Sequence, residues 1–414
     1  MKNYFAILLA EQDGSAFHSA QPAAAQELLF QPLLHWALDN CRAAGIQDLC
    51  VYVGKERAVE PLLQDQGVSL ARYVSDTASF VEAAGCDQVL VLDCQHPLFD
   101  GEQILAFYNA HQRRSDSPLT VLTVDEEPSG LCWVAREAYL KLLEQGESCP
   151  LHNLSAAAEQ LERRVLEYPA REAELLRPAQ SCRDLLALSQ AANLRQAERL
   201  MDQGVRFSSL DGVLLSPHAT VGADTVIHAG TQLKGRVQIG SGCQIGPFTV
   251  VEDSRIGDGC TVHSSLIEKS VMGDGVRFGP NSHLRPNTVL GNRVKVGNFV
   301  EVKHSTLGEA TSVAHLTYIG DSDFGAHINV GCGVVCVNYD GYEKHRCTVG
   351  DGAFIGCNSN LVAPVTVEEG AYTAAGTPIP DRVPAHALAI ARCRQENKEG
   401  WALRYREKHQ KKGK

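Results

Sequence analysis

The side chains best suited to chemistry in this chain stand between positions 285 and 344. They comprise three cations, one histidine, two asparagines and two tyrosines, namely Arg285, Lys303, Lys344, His315, Asn329, Asn338, Tyr318 and Tyr339. Cations bind phosphate through charge-assisted hydrogen bonds, and histidine exchanges protons near neutral pH. The pattern therefore predicts proton transfer on a phosphorylated, hydroxyl-rich ligand.

A solvated surface position explains each of these residues when it is taken alone, because the chain has 15 histidines and many lysines. Their concentration in one segment is what favours a site. The stretch VNYDGYEKHRCT, which ends this segment, contains an Asp-Gly turn signal at Asp340 and Gly341. We expect an excursion there that projects Lys344 away from the coil, toward a ligand or a partner.

The spacing of aliphatic residues predicts the elements that carry this segment. A period of six runs through Met272, Phe278, Leu284, Leu290, Val296 and Val302, resumes after a one-residue slip at Leu307, Val313 and Ile319, and returns at Val349, Ile355, Leu361 and Val367. Such hexads, often followed by glycine, are typical of a β-helix whose triangular coils each contain three hexads. Residues 212 to 380 would then form about nine coils around a stacked aliphatic core.

Residues 1 to about 183 follow a different pattern. Short apolar runs such as YFAILLA, VLVLDC and LTVLTV alternate with amphipathic segments such as ILAFYNAHQ. This alternation predicts a mainly parallel, Rossmann-like α/β sheet, a fold that binds ligands at the carboxyl ends of its strands. Residues 184 to 207 have no proline or glycine before Gly204 and are predicted to form one helical arm between two domains.

Length and charge narrow the class of protein. A chain of 414 residues is expected to contain two domains. The 38 basic and 49 acidic residues, a net charge of −11, argue against nucleic acid or an anionic membrane as the main partner. No stretch approaches the roughly 20 apolar residues of a membrane span, and the first apolar run breaks at Glu11 without the flanks of a signal peptide. We therefore expect a cytoplasmic protein.

The 14 cysteines are scattered without a C-x-x-C pair. In an intracellular chain this favours reduced thiols that pack in the core over a disulfide framework. Cys332, Cys336 and Cys347 come nearest to a metal-binding cluster. Cys336, however, lies in register with Phe324 and Val330, so a thiol that faces the core is the favoured alternative.

Residues 184 to 414 resemble the carboxyl half of the bacterial bifunctional N-acetylglucosamine-1-phosphate uridyltransferase/glucosamine-1-phosphate acetyltransferase. The similarity runs through the motifs LRP, VGNFVEVK, HLTYIGD, INVGCG, VNYDG, LVAPVTV and KEGW. It implies a left-handed β-helix over residues 208–380, followed by a basic tail over 381–414. It also implies a homotrimer with the acetyltransferase site between subunits, acetyl-CoA as cosubstrate, and a place in the synthesis of UDP-N-acetylglucosamine and cell-wall precursors.

The same resemblance implies roles for single residues. His315 would take a proton from the 2-amino group of glucosamine-1-phosphate while the amine attacks the thioester, and this transfer requires no metal. The sugar phosphate would contact Arg285, Lys303, Tyr318, Lys344 and Asn329, and the cofactor would contact Cys332, Asn338, Tyr339, Cys357, Ala375 and Arg392, with the backbone N–H of Cys332 facing the oxyanion. Cys332 and Cys357 replace the small or hydroxylic residues usual in the family, so we expect a weaker hydrogen bond to the cofactor at Cys357.

The amino half resembles the nucleotidyltransferase domain of the same family but departs from it where phosphate and Mg²⁺ bind. The family's glycine-rich, basic loop is replaced by LLAEQDGSAFHSAQPAAAQ, and no arginine or lysine occurs between Lys2 and Arg42. Gln95 stands where the family has a metal-binding aspartate, and Arg183 or Asp184 replaces its asparagine. We therefore expect residues 1–183 to be a degenerate nucleotidyltransferase domain, with Mg²⁺ needed only if that half is active.

Three alternatives stay open at this point. The chain is a complete bifunctional enzyme if Asp93 serves as the metal ligand. It is a non-catalytic trimeric scaffold or regulatory protein if the polar residues on the coils have no substrate. The last segment, with eight basic and three acidic residues from position 394 onward, either meets the phosphates of coenzyme A or is a solvated tail.

Overall fold

The computed structural model describes residues 4–113, 118–144, 165–170 and 176–410. Its internal contacts divide the chain into two compact units. The first comprises Met1–Asp202, Leu214–Ala219 and Leu233–Arg236, and the second comprises Gln203–Val213, Thr220–Gln232 and Val237–Lys414. None of the helices in the described ranges combines the length and apolarity that crossing a bilayer requires.

A seven-stranded sheet forms the centre of the first unit. Its strands lie in the spatial order Ser69–Ala71, Asp48–Tyr52, Tyr4–Leu9, Gln88–Asp93, Glu127–Ala135, Leu119–Val124 and Val165–Pro169. Neighbouring strands are parallel except at Glu127–Ala135, which runs antiparallel to both of its neighbours. The mainly parallel α/β sheet that the alternating pattern predicts is thus confirmed.

Helices cover both faces of this sheet because successive residues of its strands point to opposite sides. Ala6 and Leu8 pack in one core, whereas Phe5, Ile7 and Leu9 pack in another. The helices are Leu33–Ala43, Val74–Ala84, Gly101–Gln112 and Arg136–Glu144. The loops contain the short 3₁₀ turns Ser15–Phe17, Ala23–Ala25 and Glu60–Leu63 and the two-stranded hairpin of Glu27–Leu28 and Gln31–Pro32.

The helical arm spans Cys182–Asp202, which differs from the predicted range of 184–207. At its start the side chain of Asp184 accepts hydrogen bonds from the Ser181 hydroxyl and the Gln180 amide. The helix stops before Gly204, whose φ of 88° is a left-handed conformation that glycine adopts readily. Arg206–Phe207 is already a strand, and it pairs in parallel with Val226–Ile227.

The second unit is a β-helix of short parallel strands. Two of its faces join into one large sheet, made of Arg206–Phe207, Val226–Ile227, Gln244–Ile245, Val250–Glu252, Thr261–Val262, Leu266–Glu268, Arg277–Phe278, His283–Leu284, Lys295–Lys303, Ser312–Gly320, Asn329–Val330, Val335–Val337, Phe354–Ile355, Asn360–Val362, Tyr372–Thr373, Pro378–Ile379 and Leu388–Ala389. The strands Leu214–Leu215 and Gln232–Lys234 lie wholly or largely in the segments that group with the first unit. The left-handed β-helix that the hexads and the family resemblance predict is confirmed.

The third face is a nine-stranded sheet, in agreement with the expected number of coils. Its strands are Thr220–Val221, Gln238–Ile239, Arg255–Ile256, Val271–Met272, Val289–Leu290, Thr306–Leu307, Ser322–Phe324, Cys347–Val349 and Val365–Val367. None of the candidate catalytic, substrate-binding or cofactor-binding residues lies on this face, although it includes Cys347. It is therefore a useful place for control substitutions.

Aliphatic side chains stack inside the coils and hold the β-helix together. Val296, Val313, Val330 and Ile355 occupy the same position on successive coils and are each at most 3% exposed. Burying a side chain of this size contributes about 1.5–3 kcal/mol. Because each coil repeats the contribution, polar residues on the outer faces are free to serve other purposes.

The carboxyl end of the chain continues beyond the predicted boundary at residue 380. Leu388–Ala389 pairs in parallel with Tyr372–Thr373 and so extends the β-helix. Trp401–Gln410 is an exposed α-helix in which the rings of Trp401 and Tyr405 stack. Of the basic segment that begins at position 394, residues 401–410 are thus helical, and residues 411–414 lie outside the described ranges.

Candidate active site

Three cations meet on one face of the β-helix, and we call Arg285, Lys303 and Lys344 the cation cluster. The pairing of Leu284 with Val302 places Arg285 and Lys303 in the same position on adjacent coils. The ammonium group of Lys344 lies beside that of Lys303 and, with Arg285, lowers the pKa of Lys303. Cations that repel one another in this way are stabilised when an anion enters between them. The cluster is therefore suited to a phosphate group.

Lys344 reaches the cluster because the excursion predicted from the Asp-Gly signal is present. The Asp340 carboxylate accepts hydrogen bonds of 2.8 Å from the backbone amides of Tyr342 and Glu343. Gly341 has a φ of 101°, which turns the chain back. A bridge between Tyr339 and Lys344 closes the excursion. Lys344 thus returns toward the coils, although we expected it to project away from them.

A carboxylate and a phenol border the cation cluster. Arg285 Nη1 donates to Glu301 Oε1 at 2.7 Å, and this contact raises the pKa of Arg285. Glu301 stands opposite Tyr318 on the next coil. The ion pair with Glu301 fixes the direction of the Arg285 guanidinium and partly neutralises its charge. The Arg285 side chain remains 38% exposed. Glu301 was not singled out from the sequence, although it belongs to the motif VEVK.

Asp321 is a buried carboxylate behind the cluster that sequence reasoning also missed. It accepts hydrogen bonds from His304 Nδ1, at 2.6 Å, and from the amide of Asn338. The same amide nitrogen lies 3.4 Å from the Tyr318 hydroxyl. Both amide hydrogens of Asn338 are therefore directed inward, which leaves its carbonyl oxygen as the group able to accept from a ligand. The available signal was the acidic residue that closes the motif HLTYIGD.

We expect Asp321→Asn to lower the free energy of unfolding by about 1–3 kcal/mol at neutral pH, because His304 and Asn338 would lose a charged acceptor. Burial raises the pKa of Asp321, but the two hydrogen bonds and the charges of His304 and Lys344 outweigh it and bring the pKa below its usual value. The stabilisation is therefore complete above the unfolded-state pKa of about 3.9 and is lost as the pH falls through the lower folded-state value.

Urea unfolding of the wild type and of Asp321→Asn between pH 3 and 8 measures this difference. The difference between the two proteins should become smaller as the pH falls below about 4. A constant difference across that range would show that the carboxylate charge contributes nothing.

His315 lies at an edge between two faces of the β-helix. The strands Lys295–Lys303 and Ser312–Gly320 continue across this edge from one face to the next without interruption. Val313 pairs with Val330 and Tyr318 with Val335, so His315 and Cys332 occupy the same position on adjacent coils. The pairs Val330 with Ile355 and Val335 with Asn360 place Cys357 next in this row. Ala375 follows by the same reasoning. We call His315, Cys332, Cys357 and Ala375 the edge row.

Close stacking of the edge row depends on Gly331. A Cβ atom at this position would lie 2.5 Å from the Cys357 backbone nitrogen, which is closer than real Cβ contacts. In addition, the backbone N–H of Asn358 donates to the Cys332 carbonyl at 2.8 Å. The residues to which the family resemblance assigns the proton transfer and three of the cofactor contacts therefore form one continuous row.

Other candidate residues are not part of this row. Asn329 is exposed on the face that precedes the edge, opposite Ser312 and Phe354. Tyr339 is 57% exposed, and its hydroxyl donates to the Gly341 carbonyl within the excursion. Arg392 is exposed in the segment that follows the last strand. The structure thus groups Arg285, Lys303, Tyr318, Asn338 and Lys344 on one face but does not bring Asn329 or Arg392 to them.

A groove of about 730 Å³ runs beside the continuous edge, along the face that carries Glu301 and Tyr318. Phe248, Phe299 and Leu316 also line it, and they are 72%, 58% and 59% exposed. We call these three residues the apolar ridge. Large apolar side chains this exposed along one groove are typical of surfaces that contact a partner or a ligand.

The three cysteines considered as metal ligands differ in how deeply they are buried. Cys336 and Cys347 are buried in the core, in agreement with the core-facing alternative, whereas Cys332 is half-buried on the edge. Within the described ranges, no group of three or more histidine, cysteine or acidic side chains is arranged to hold a metal ion.

The first unit has a cleft of about 1060 Å³ at the carboxyl ends of its strands. Three cations line it, namely Lys55, Arg57 and Arg72. Lys55 and Arg57 follow the strand Asp48–Tyr52, and Arg72 follows the strand Ser69–Ala71. Arg72 is paired with Glu60 at 2.7 Å, and Glu11 of the first loop also faces the cleft. The cations present therefore come from loops other than the one that holds phosphates in the family.

The residues that would hold Mg²⁺ in this unit do not fit the ion. Gln95 is a buried neutral amide whose Nε2 has no hydrogen-bond partner, where a carboxylate is required. The two oxygens of Asp93 accept from Gln12 Nε2, at 3.1 Å, and from the backbone N–H of Gln95, at 2.8 Å. The Asp184 carboxylate already accepts hydrogen bonds from the Gln180 backbone N–H and the Ser181 hydroxyl at the start of the helical arm.

Comparison with known proteins places this geometry in context. The family model described as bacterial transferase hexapeptide (six repeats) matches residues 218–253 and 269–304. The bifunctional protein GlmU of Caldicellulosiruptor saccharolyticus is 50% identical over 227 residues, which are 55% of this chain and 49% of that protein. A solved structure of 4-diphosphocytidyl-2C-methyl-D-erythritol synthase from Anaerococcus prevotii covers 46% of this chain at a TM-score of 0.35 and 14% identity, too low to support a conclusion.

Other relatives match nearly the whole chain. GlmU of Geobacillus sp. (strain WCH70) is 32% identical over 455 aligned residues, which cover 98% of each chain. GlmU of Bacillus velezensis is 34% identical over 449 residues, which cover 97% of this chain and 98% of that protein. Both alignments are longer than the 414 residues of this chain, so these relatives contain residues that it lacks. The family resemblance that the sequence motifs suggest is confirmed, and the chain belongs to the family of the bifunctional protein GlmU.

Proposed function

We propose that this protein transfers the acetyl group of acetyl-CoA to the amino group of glucosamine-1-phosphate. The observation that carries the proposal is the cation cluster, which lies on the face that adjoins the edge bearing His315. A phosphate bound by Arg285, Lys303 and Lys344 would anchor a sugar whose amine reaches toward the edge. The product, N-acetylglucosamine-1-phosphate, leads to UDP-N-acetylglucosamine and to cell-wall precursors.

The chemistry follows from the residues of the edge row and its neighbours. An ammonium group cannot attack a carbonyl, so His315 would accept the proton that the amine loses as it forms the new amide bond. The thioester oxygen gains negative charge in the same step, and the backbone N–H of Cys332 would stabilise it. The carbonyl oxygen of Asn338 would orient the acceptor or the acyl chain. The thiol of coenzyme A leaves when the tetrahedral intermediate collapses.

The acceptor is tested by following CoA release in the presence of a panel of hexosamine phosphates. Glucosamine-1-phosphate should give the highest kcat/KM, because its phosphate and its amine are on neighbouring ring carbons, so a phosphate held at the cation cluster would keep the amine close by. Glucosamine-6-phosphate, with its phosphate on another carbon, should be at least tenfold poorer, a difference of about 1.4 kcal/mol. Faster turnover with glucosamine-6-phosphate would show that the assignment of the acceptor is wrong.

We also propose that three copies of the chain assemble through the apolar ridge. Phe248, Phe299 and Leu316 expose apolar surface beside the groove, and a neighbouring copy would cover it and contribute to the site. Arg392 and Asn329, which do not reach the cation cluster within one chain, would then act across the interface. Sedimentation equilibrium should give three times the monomer mass, and Phe299→Asp should lower it. A monomeric wild type would contradict this assembly.

For the first unit we propose a nucleotidyltransferase fold without uridyltransferase activity. The mismatch at Gln95, the engagement of both Asp93 oxygens and the absence of basic residues from the first loop support this proposal. Incubation with UTP, Mg²⁺ and N-acetylglucosamine-1-phosphate should yield no UDP-N-acetylglucosamine above the enzyme-free blank. Product that accumulates in proportion to enzyme concentration would overturn the proposal and favour the complete bifunctional enzyme.

A further inference from the structure

Two thiols of the edge row face outward on adjacent coils. Cys357 is exposed and Cys332 is half-buried, whereas most of the other described cysteines are buried. Val330 pairs with Ile355 before the two cysteines, and Val335 pairs with Asn360 after them. These pairings fix the register of Cys332 against Cys357. Neighbouring positions on paired strands are about 4.8 Å apart, within the Cα separation of 4.4–6.8 Å that a disulfide allows. The register thus puts the expected Cα separation of Cys332 and Cys357 within the range that a disulfide allows.

Buried thiol pairs elsewhere in the β-helix provide a comparison. Cys243 and Cys260 also lie on adjacent coils, and the Cys260 amide contacts the Cys243 sulfur at 3.3 Å. Both are enclosed in the core, at no more than 1% exposure, where a reagent cannot reach them. Cys182 and Cys393 are exposed, but no second cysteine pairs with either in the described strand register. Among the described residues, Cys332 and Cys357 are the stacked pair that combines adjacency with access.

The surroundings of this pair favour reaction. His315 occupies the same position on the coil before Cys332, so an imidazole is available to take a thiol proton. The thiolate is the form that attacks disulfides. Under the proposed function, moreover, a coenzyme A thioester lies along the edge row, so molecules of that shape have a path to both sulfurs.

We propose that Cys332 and Cys357 form a dithiol modification site for small disulfides of the coenzyme A type, and that its closure stops acetyl transfer. The Cys357 thiolate attacks one sulfur of the small disulfide, whose S–S bond breaks and releases one thiol. The Cys332 thiolate then attacks the Cys357 sulfur of the mixed disulfide and releases the second thiol. The protein loses two protons and two electrons, and the small disulfide gains them as it becomes two thiols. The inhibitory consequence rests on the proposed function, whereas the bond itself does not.

The test treats the full-length, reduced protein with coenzyme A disulfide and maps its cysteines by non-reducing peptide mass spectrometry. A peptide pair linked through Cys332 and Cys357 is expected, and dithiothreitol should separate it. In parallel, CoA release from acetyl-CoA should fall at least tenfold after treatment and return after reduction. Cys393→Ser, which alters an exposed thiol without a stacked neighbour, should lose activity on treatment to the same extent as the wild type.

The single variants separate the two steps. Cys332→Ala should stop at a mixed disulfide on Cys357, and Cys357→Ser should form no disulfide at Cys332 within the same time. Each variant is compared with its own untreated sample, because both residues lie in the proposed cofactor path. Absence of the Cys332–Cys357 link in the wild type overturns the proposal, as does a link that leaves acetyl transfer unchanged. If the reduced protein lacks acetyltransferase activity, the function assigned above fails, while peptide mapping still decides whether the bond forms.

Discussion

His315→Ala is expected to lower kcat for acetyl transfer by about 10²- to 10⁴-fold while KM for the sugar phosphate stays within about twofold. The imidazole is the group on the edge row that can accept the amine proton, and it is not among the cations that would bind the phosphate. Its side chain is exposed, so removal leaves no cavity in the core. Initial rates of CoA release, measured with a melting curve for each protein, test this expectation.

His263→Ala is the matched control for this substitution. His263 is also exposed on the β-helix, in an earlier coil where its backbone amide donates to the Phe278 carbonyl. Its replacement should change neither kcat nor the melting temperature. If His315→Ala retains wild-type kcat, the proton must go elsewhere, and His315 would lose its assigned role.

Arg285→Ala is expected to raise KM for glucosamine-1-phosphate by about 10- to 100-fold, which corresponds to about 1.4–2.7 kcal/mol, with a smaller effect on kcat. The substitution removes a cation that would face the phosphate. It also releases Glu301, which accepts from Arg285 at 2.7 Å and would afterwards repel the phosphate. KM for acetyl-CoA should remain unchanged, because the proposed cofactor path follows the edge row.

Arg255→Ala provides the comparison for charge alone. Arg255 is exposed on the nine-stranded face, which has none of the candidate catalytic, substrate-binding or cofactor-binding residues. Its loss changes the net charge by the same amount but should leave both KM values as they are. An equal rise in KM for Arg255→Ala would mean that long-range attraction, and not the cation cluster, binds the phosphate. Repeating both measurements at high salt separates the two effects, since screening weakens the long-range part first.

The hexad spacing was sufficient to predict the β-helix because each coil repeats one simple requirement, an aliphatic residue directed inward. Val296, Val313 and Ile355 all lie in the core as their spacing predicts. The ends of elements were harder to predict. The helical arm contains good helix formers up to its end, and only the left-handed conformation of Gly204 shows why Arg206 belongs to a strand.

The members of the site were predicted as residue types, but their arrangement was not. Cys332 and Cys357 are 25 residues apart, whereas His315 and Cys332 are 17 apart, because the excursion adds residues to one coil. The unequal spacing hides the fact that these positions form one row, and only the pairing of the strands reveals it. The return of Lys344 to Lys303 depends on a turn whose direction follows from the φ of Gly341.

Residues that act through others were missed altogether. Asp321 binds no expected ligand, and its importance follows from burial and from its contacts with His304 and Asn338. Neither property can be read from a single sequence, because both depend on which coils become neighbours. In the first unit, likewise, the change to Gln95 was visible in the sequence, but the engagement of the Asp93 oxygens by Gln12 and Gln95 required coordinates.

In the proposed reaction, an amino sugar bound at the cation cluster is acetylated on nitrogen with the help of His315. The decisive experiment is mass spectrometry of the product that the purified full-length protein makes from acetyl-CoA and glucosamine-1-phosphate. We expect N-acetylglucosamine-1-phosphate in a one-to-one ratio with released CoA, and loss of both in His315→Ala. Absence of this product from a folded wild-type protein, or its undiminished formation by His315→Ala, would refute the proposed reaction.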